Sequence, residues 1–129
     1  MRKITLVLVF TSACLTGLSS HANPVVNKLM QKYQQQGATQ AVPEQGRKLW
    51  YAQNGERGCT SCHASSPDKP GKHVKTGKAI KPMAVSVNPQ RFKDSKKVEK
   101  WFLRNCKWTL GRECTVQEKT DTLSWLTSF

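Results

Sequence analysis

The chain has 129 residues and a formal net charge of +13. This length predicts a single domain with a modest hydrophobic core. Although the chain is strongly basic, it has no run of lysines interleaved with aromatic residues, so the composition does not indicate a nucleic-acid partner.

The first 22 residues have the pattern of a secretory signal peptide. Arg2 and Lys3 precede an apolar run from Ile4 to Phe10, and Ser20-His21-Ala22 resembles a cleavage site. We therefore expect export to the periplasm and a mature domain of residues 23–129. Loss of the two basic residues lowers the net charge from +13 to +11. Four of the five cysteines remain in the mature part, and in an oxidising compartment those that hold no cofactor are expected to pair.

Two helices are predicted at the start of the mature domain. The first spans Pro24 to Gln36 and the second runs from Pro43 to about Gln53. Gly46 lies one turn before Trp50 in the second helix, and a glycine at this place allows another helix to approach closely.

Cys59-Thr60-Ser61-Cys62-His63 has the spacing that is typical of c-type haem attachment. In such a motif both thiols form thioethers with the haem, and the histidine that follows becomes the proximal iron ligand. A redox dithiol and a zinc site also use Cys-x-x-Cys. The remaining cysteines lie far downstream, however, and no alternation of strands and helices is predicted, so both alternatives are less favoured. We expect one covalently attached haem c.

A loop rich in proline and glycine follows the motif, from Ser65 to Val87. It carries a lysine at every third position, at Lys69, Lys72, Lys75, Lys78 and Lys81. These lysines could dock an acidic redox partner through electrostatic steering, or they could belong to a solvated loop. The sequence does not separate the two alternatives.

Two further helices are predicted after this loop. One spans Pro89 to Cys106, and the last begins at Thr115, with Glu118 completing a capping box. This order of helices and loop predicts an all-α fold, the small class I cytochrome c fold, with the helices packed around one covalently attached haem. The mature residues 23–129 would form one monohaem domain.

The sixth position of the iron decides the function, and the sequence offers Met83, His73, Asn105 or no ligand. Pro82-Met83 is typical of loops that deliver a thioether to iron, but Met83 comes before the third helix. Asn105 lies after most of that helix, where the distal ligand of a small cytochrome usually comes. Met83 could instead be a loop methionine packed near the haem, and Asn105 a helix-end asparagine bonded to backbone groups. His73 is most simply an exposed histidine.

From Gly46 to the C-terminus the chain resembles the sphaeroides haem protein family of oxygen-binding class I cytochromes c. The resemblance is carried by Thr76-Gly77-Lys78, Asn88-Pro89-Gln90-Arg91-Phe92, Val98-Glu99-Lys100-Trp101, Arg104-Asn105-Cys106 and Gly111-Arg112-Glu113-Cys114-Thr115. The resemblance implies that His63 is the proximal ligand and that Asn105 binds the oxidised iron through its side-chain amide. It also implies a disulfide between Cys106 and Cys114. Met83 departs from the family, in which an aliphatic residue is expected.

The resemblance implies that reduction releases Asn105 and that the vacated position takes oxygen, nitric oxide or carbon monoxide. An amide oxygen is a hard donor that suits ferric iron better than ferrous iron, which agrees with such a release. The expected electron donor is another cytochrome, of dihaem c-type or membrane b-type, and any enzymatic activity would be at most reduction of the gas. The alternative is a simple electron carrier with permanent His63/Met83 ligation. A peroxidase-like enzyme is less favoured, because no distal histidine is placed for acid–base work.

Overall fold

The computed structural model describes residues 23–129, and the expected signal peptide lies outside the described residues. Within this part the helices are α1 (Pro24–Gln35), α2 (Pro43–Tyr51), α3 (Ser95–Leu110) and α4 (Val116–Leu126). Four two-residue strands form two small antiparallel hairpins, β1 (Gln53–Asn54) with β2 (Arg57–Gly58) and β3 (Gly71–Lys72) with β4 (Ala79–Ile80). The prediction of an all-α fold is confirmed, because the hairpins only shape loops between helices.

Helix α1 packs its apolar face into the core. The side chain of Asn23 caps the helix by accepting hydrogen bonds from the backbone N–H groups of Val25 and Val26 at 3.0 and 3.4 Å. Leu29 and Tyr33 are buried, and Tyr33 is fully so. The buried apolar residues of α1 therefore form a core face.

Helices α2 and α4 cross in close contact at Gly46. A Cβ atom at this position would lie 2.8 Å from the Cα atom of Thr122 and closer still to the carbonyl group of Asp121. The predicted close approach at Gly46 is confirmed. The predicted capping box is confirmed as well, since Thr115 and Glu118 exchange side-chain and backbone hydrogen bonds at the start of α4.

The third helix is displaced from its predicted bounds, Pro89 to Cys106, which were wrong at both ends. It begins at Ser95, because Phe92 has a positive φ of 62° and the side chain of Asp94 caps the backbone N–H of Lys97. It continues to Leu110 and stops where Gly111 adopts a left-handed conformation with φ 72°. Asn105 and Cys106 consequently lie inside the helix and not at its end.

Helix α2 ends at Tyr51, shorter than the predicted end near Gln53, because the chain turns into the β1–β2 hairpin. The second hairpin lies within the loop that was expected to lack regular structure. Each hairpin lies beside the Cys-x-x-Cys-His segment in sequence, one before it and one after it.

The core forms where α1, α2 and α4 meet, with α3 closing one side. Its members share near-complete burial, and they include Val26, Leu29, Tyr33, Trp50, Phe92, Val98, Leu123, Trp125 and Leu126. Glu99 of α3 joins this arrangement through ion pairs with Lys32 of α1 at 2.7 Å and Lys119 of α4 at 3.0 Å. No helix between residues 23 and 129 is long and apolar enough to cross a membrane.

Candidate haem site

The attachment motif forms a tight turn that presents its functional side chains together. Cys59–Ser61 is a short 3₁₀ helix, and the backbone N–H groups of Cys62 and His63 both donate to the carbonyl of Cys59, at 3.3 and 3.0 Å. The two thiols are not bonded to each other or to another cysteine of the described residues. The turn therefore offers two separate thiols followed directly by an imidazole.

The burial of Cys59 disfavours the thiolate form on which other uses of Cys-x-x-Cys depend. Burial raises the pKa of the Cys59 thiol to about 11, so the thiol is neutral at pH 7. Redox-active and zinc-binding cysteines need a thiolate, which a lowered pKa favours. In addition, no three His, Cys, Asp or Glu side chains between residues 23 and 129 come together as a metal ion would require. The structure thus disfavours both the dithiol and the zinc interpretation.

The imidazole of His63 lies beside the indole of Trp50, with ring centres 5.2 Å apart. Burial, and then the positive charge of Arg91, lower the pKa of His63 to about 4. The ring is therefore neutral at pH 7, which is the form that ligates a metal.

The β3–β4 hairpin lies directly against the attachment turn. The backbone N–H of Lys72 donates to the carbonyl of Cys62 at 2.8 Å, and that of Val74 lies 3.5 Å from the Cys62 sulfur. Only glycine fits at position 71, since a Cβ atom there would lie 2.8 Å from the Cα atom of His63. The hairpin thus carries its lysines to the edge of the site.

His73 supports the turn of this hairpin. Its Nδ1 atom accepts hydrogen bonds from the backbone N–H groups of Lys75 and Thr76, both at 3.2 Å. The side chain is partly buried, although an exposed histidine was expected. Its place in the turn accounts for this histidine without an iron ligand role.

Met83 belongs to a chain segment that is hydrogen-bonded to the chain shortly after His63. Its backbone N–H donates at 2.8 Å to the carbonyl of Pro67, a buried residue shortly after His63. The side chain of Met83 is partly buried and packs against the core. This arrangement suits a methionine packed near a haem.

Asn105 has an exposed side chain in α3. Its backbone carbonyl accepts a hydrogen bond from the hydroxyl of Thr109 at 2.8 Å, but no group of residues 23–129 hydrogen-bonds its side-chain amide. Asn105 thus lies within α3, and its side chain is not bonded to backbone groups of the described residues.

The flank of α3 that carries Asn105 is close to the attachment turn. Trp108 lies three residues after Asn105, on the same face of the helix. The centre of its ring is 5.9 Å from the guanidinium of Arg57, which comes two residues before Cys59. Trp101, one turn before Asn105, is 46% exposed although it is a large apolar side chain.

A disulfide joins Cys106 to Cys114, with the Cα atoms 5.5 Å apart. The loop that it closes is further held by Arg112, whose two terminal nitrogens donate to the two carboxylate oxygens of Glu118 at 2.8 and 2.7 Å. Because Cys106 follows Asn105 directly, the disulfide and this ion pair fix the end of α3 next to the candidate ligand.

These residues fit a covalently bound haem. The turn supplies two thiols and one neutral imidazole, and the exposed indole of Trp101 offers apolar surface that a macrocycle could cover. The indole nitrogen of Trp50, beside His63, is buried and has no hydrogen-bond partner within the described residues. Together the helical fold and this site define a small c-type cytochrome.

Comparison with known proteins gives the family. Residues 36–126 match the family described as "Domain of unknown function (DUF1924)". The chain is 39% identical over 120 residues to the cytochrome c-type protein SHP of Cereibacter sphaeroides, covering 89% of this chain and 92% of that protein. The chain therefore belongs to the sphaeroides haem protein family of c-type cytochromes, as the sequence motifs predicted.

Solved structures agree with this assignment. The structure of oxidised SHP, an oxygen-binding cytochrome c, superposes with a TM-score of 0.75 at 39% identity, over 81% of this chain and 96% of that one. The solution structure of cytochrome c'' from Methylophilus methylotrophus, which addresses haem-ligand detachment, gives a TM-score of 0.71 at 30% identity, over 81% of this chain and 94% of the other. The predicted cytochrome c fold is confirmed.

Two residues near the site were not identified from the sequence. Trp50 was noted only as an apolar residue of its helix, and Arg91 only as part of the segment that resembles the family. The ring of Trp50 contacts that of His63, and the charge of Arg91 contributes to the lowered pKa of His63. The sequence signal for Trp50 was its position one turn after Gly46, which brings it to the buried face of α2.

Proposed function

We propose that this chain is an exported cytochrome c with one haem, held by Cys59 and Cys62, and with a detachable asparagine ligand. His63 is the proximal ligand, and Asn105 occupies the opposite position when the iron is ferric. When bound, the haem supplies an iron that is ferric or ferrous and that, once reduced and free of Asn105, takes oxygen, nitric oxide or carbon monoxide.

The position of Asn105 carries this proposal. Its side-chain amide makes no hydrogen bond to the described residues, and the contact between Trp108 and Arg57 brings its face of α3 close to the attachment turn. An amide oxygen is a weak neutral donor, so Asn105 holds ferric iron and leaves ferrous iron. The Cys106–Cys114 disulfide positions the backbone from which this side chain projects.

The relatives support both halves of the proposal. SHP is described as an oxygen-binding cytochrome c, and cytochrome c'' as a protein in which a haem ligand detaches. Both share the fold of this chain over most of its length.

A simple electron carrier with His63/Met83 ligation is the second candidate. Its support is the partly buried side chain of Met83, which packs against the core beside the site. It is less favoured, because the hydrogen bond from Met83 to Pro67 ties this residue to the chain that follows His63.

We also propose that the electron donor is another cytochrome, of dihaem c-type or membrane b-type, with an acidic surface. The β3–β4 hairpin is bonded to Cys62, and it exposes Lys75 and Lys78 beside Val74, which is 57% exposed. A basic rim around an apolar contact at the haem attachment turn suits an acidic redox protein.

An absorption spectrum of the dithionite-reduced protein, with and without carbon monoxide, tests the proposed function. We expect a five-coordinate ferrous haem whose spectrum changes on addition of carbon monoxide. A low-spin ferrous spectrum that does not respond to carbon monoxide would refute gas binding and support the electron carrier. The mass of the purified protein, expected to equal residues 23–129 plus one haem, tests export, cleavage and the haem count together.

A further inference from the structure

The segment Asn88–Phe92 holds an arginine in an unusual setting. Arg91 is partly buried, and its Nε atom donates to the carbonyl of Pro82 at 3.0 Å. One terminal nitrogen donates to the carbonyl of Lys81. Both acceptors are neutral backbone groups, so neither offsets the guanidinium charge.

No carboxylate of residues 23–129 pairs with this guanidinium. The cations of the ion pairs in this part of the chain are Lys32, Arg47, Lys69, Lys107, Arg112 and Lys119. Burial lowers the pKa of Arg91, but an arginine stays charged at any physiological pH. A partly buried cation without an anion is costly, and such groups are normally paired.

The local backbone fixes Arg91 at some cost. Phe92 has a φ of 62°, a conformation that side chains other than glycine rarely adopt, and its ring is buried in the core. The amide of Asn23 donates to the carbonyls of both Arg91 and Phe92 at 3.4 Å. Strain of this kind persists where the surrounding structure holds it, and it is concentrated at functional positions.

Hydrogen bonds connect the same segment to the chain that follows His63. The side-chain amide of Asn88 donates to the carbonyl of Pro82 at 2.8 Å. The same carbonyl therefore accepts hydrogen bonds from both Asn88 and Arg91. The next residue, Met83, is bonded to Pro67 in the chain that follows His63.

We propose that Arg91 binds a carboxylate of the haem and raises the reduction potential of the iron. A haem carries two propionate groups, which are anions. Either would pair with Arg91, for which the described residues provide no carboxylate. Three of the five N–H donors of a guanidinium remain after its bonds to Pro82 and Lys81, enough for a carboxylate. A fixed positive charge disfavours ferric iron, which is more positive than ferrous iron. Loss of Arg91 would also leave the negative propionate unbalanced, and that negative charge favours ferric iron.

The inference rests on the proposed haem attachment but not on gas binding. The test uses the holoprotein with Arg91→Gln, Arg91→Lys and, as a matched control, Lys93→Gln. Lys93 is an exposed cation two residues away, so its loss changes the net charge equally. Midpoint potentials from a spectroelectrochemical titration and the haem propionate bands in resonance Raman spectra are the two measurements. A pyridine haemochrome spectrum of each variant reports covalent haem separately.

We expect Arg91→Gln to lower the midpoint potential and shift a propionate band, while Lys93→Gln leaves both close to the wild-type values. Arg91→Lys should keep most of the potential, because the charge remains, yet shift the band, because the planar fork is lost. Equal potentials in Arg91→Gln and Lys93→Gln, with unchanged propionate bands, would overturn the proposal. If Arg91→Gln does not accumulate with haem, Arg91→Lys decides: an unshifted propionate band refutes the carboxylate contact, and a shifted one supports it.

Discussion

The indole of Trp50 lies 5.2 Å from the imidazole of His63 and 5.5 Å from the indole of Trp125, measured between ring centres. Trp50 therefore connects the last helix of the chain to His63, the proposed proximal ligand. Since α2 and α4 touch at Gly46, the crossing of these two helices sets where Trp50, and through it His63, can lie.

Replacing Gly46 with Val should destabilise the protein by about 3 kcal/mol or more, because the added Cβ would overlap the backbone of Asp121 and Thr122. Urea unfolding of the ferric holoprotein measures this loss. Gln45→Val is the matched control, since it places the same side chain on the exposed face of α2. Equal unfolding free energies for the two variants would contradict a tight crossing at Gly46.

Replacing Asn105 with Ala should convert the ferric spectrum from six-coordinate to a form without a protein ligand opposite His63. Met83→Leu is the control and should leave that spectrum unchanged, because the backbone of Met83 is hydrogen-bonded to Pro67 in the chain that follows His63. Absorption and electron paramagnetic resonance spectra of the ferric variants measure the change. If only Met83→Leu alters the spectrum, methionine is the ligand and the electron carrier is favoured.

Replacing both Cys106 and Cys114 with Ser should lower the unfolding free energy by about 2–3 kcal/mol, the amount expected for so short a closed loop. It should also raise the high-spin fraction of the ferric protein, because the backbone next to Asn105 is less well held. Denaturant unfolding and ferric absorption spectra, taken on the same samples, report the two effects. Unchanged spectra in a destabilised variant would show that the disulfide is a staple without influence on the ligand.

The ion pair at the disulfide loop predicts a pH dependence of stability. The hydrogen bond from Arg112 holds the pKa of Glu118 below its usual value, against the opposing effect of burial. A carboxyl whose pKa is lowered by folding stabilises the protein above its unfolded pKa, and this contribution is lost as the pH falls through the folded pKa. For a partly exposed pair the effect is at most about 1 kcal/mol.

Glu118→Gln should therefore reduce the loss of stability between about pH 6 and pH 3, while the amide still serves the capping box. Unfolding free energies across this range test the expectation. Glu56→Gln is a suitable control, because no ion pair of the described residues involves Glu56. An identical acid dependence in wild type and Glu118→Gln would contradict a stabilising role for this charge.

Local sequence signals predicted some elements well and others poorly. The capping box at Thr115 and the glycine at position 46 act over a single turn or contact, and both were found where expected. The bounds of α3 were wrong although Asp94 and Gly111 are good cap residues. Pro89 suggested an earlier start for the helix. The left-handed conformation of Phe92 delays that start, and it is stabilised by burial of the Phe92 ring and by a hydrogen bond from Asn23, which is far away in sequence.

The sequence by itself predicted the cofactor chemistry, because haem attachment needs two thiols at a fixed short spacing and an imidazole directly after them as iron ligand. The motifs that extend to Cys114 predicted the family, which the comparisons confirm. The sequence also determined that Asn105 is followed directly by a cysteine. Only the tertiary structure decided where the chain around Met83 is anchored, what approaches the attachment turn from α3, and which cation affects the pKa of His63. These relationships depend on contacts between residues far apart in the chain, such as Met83 with Pro67 and Arg57 with Trp108, and local spacing does not encode them.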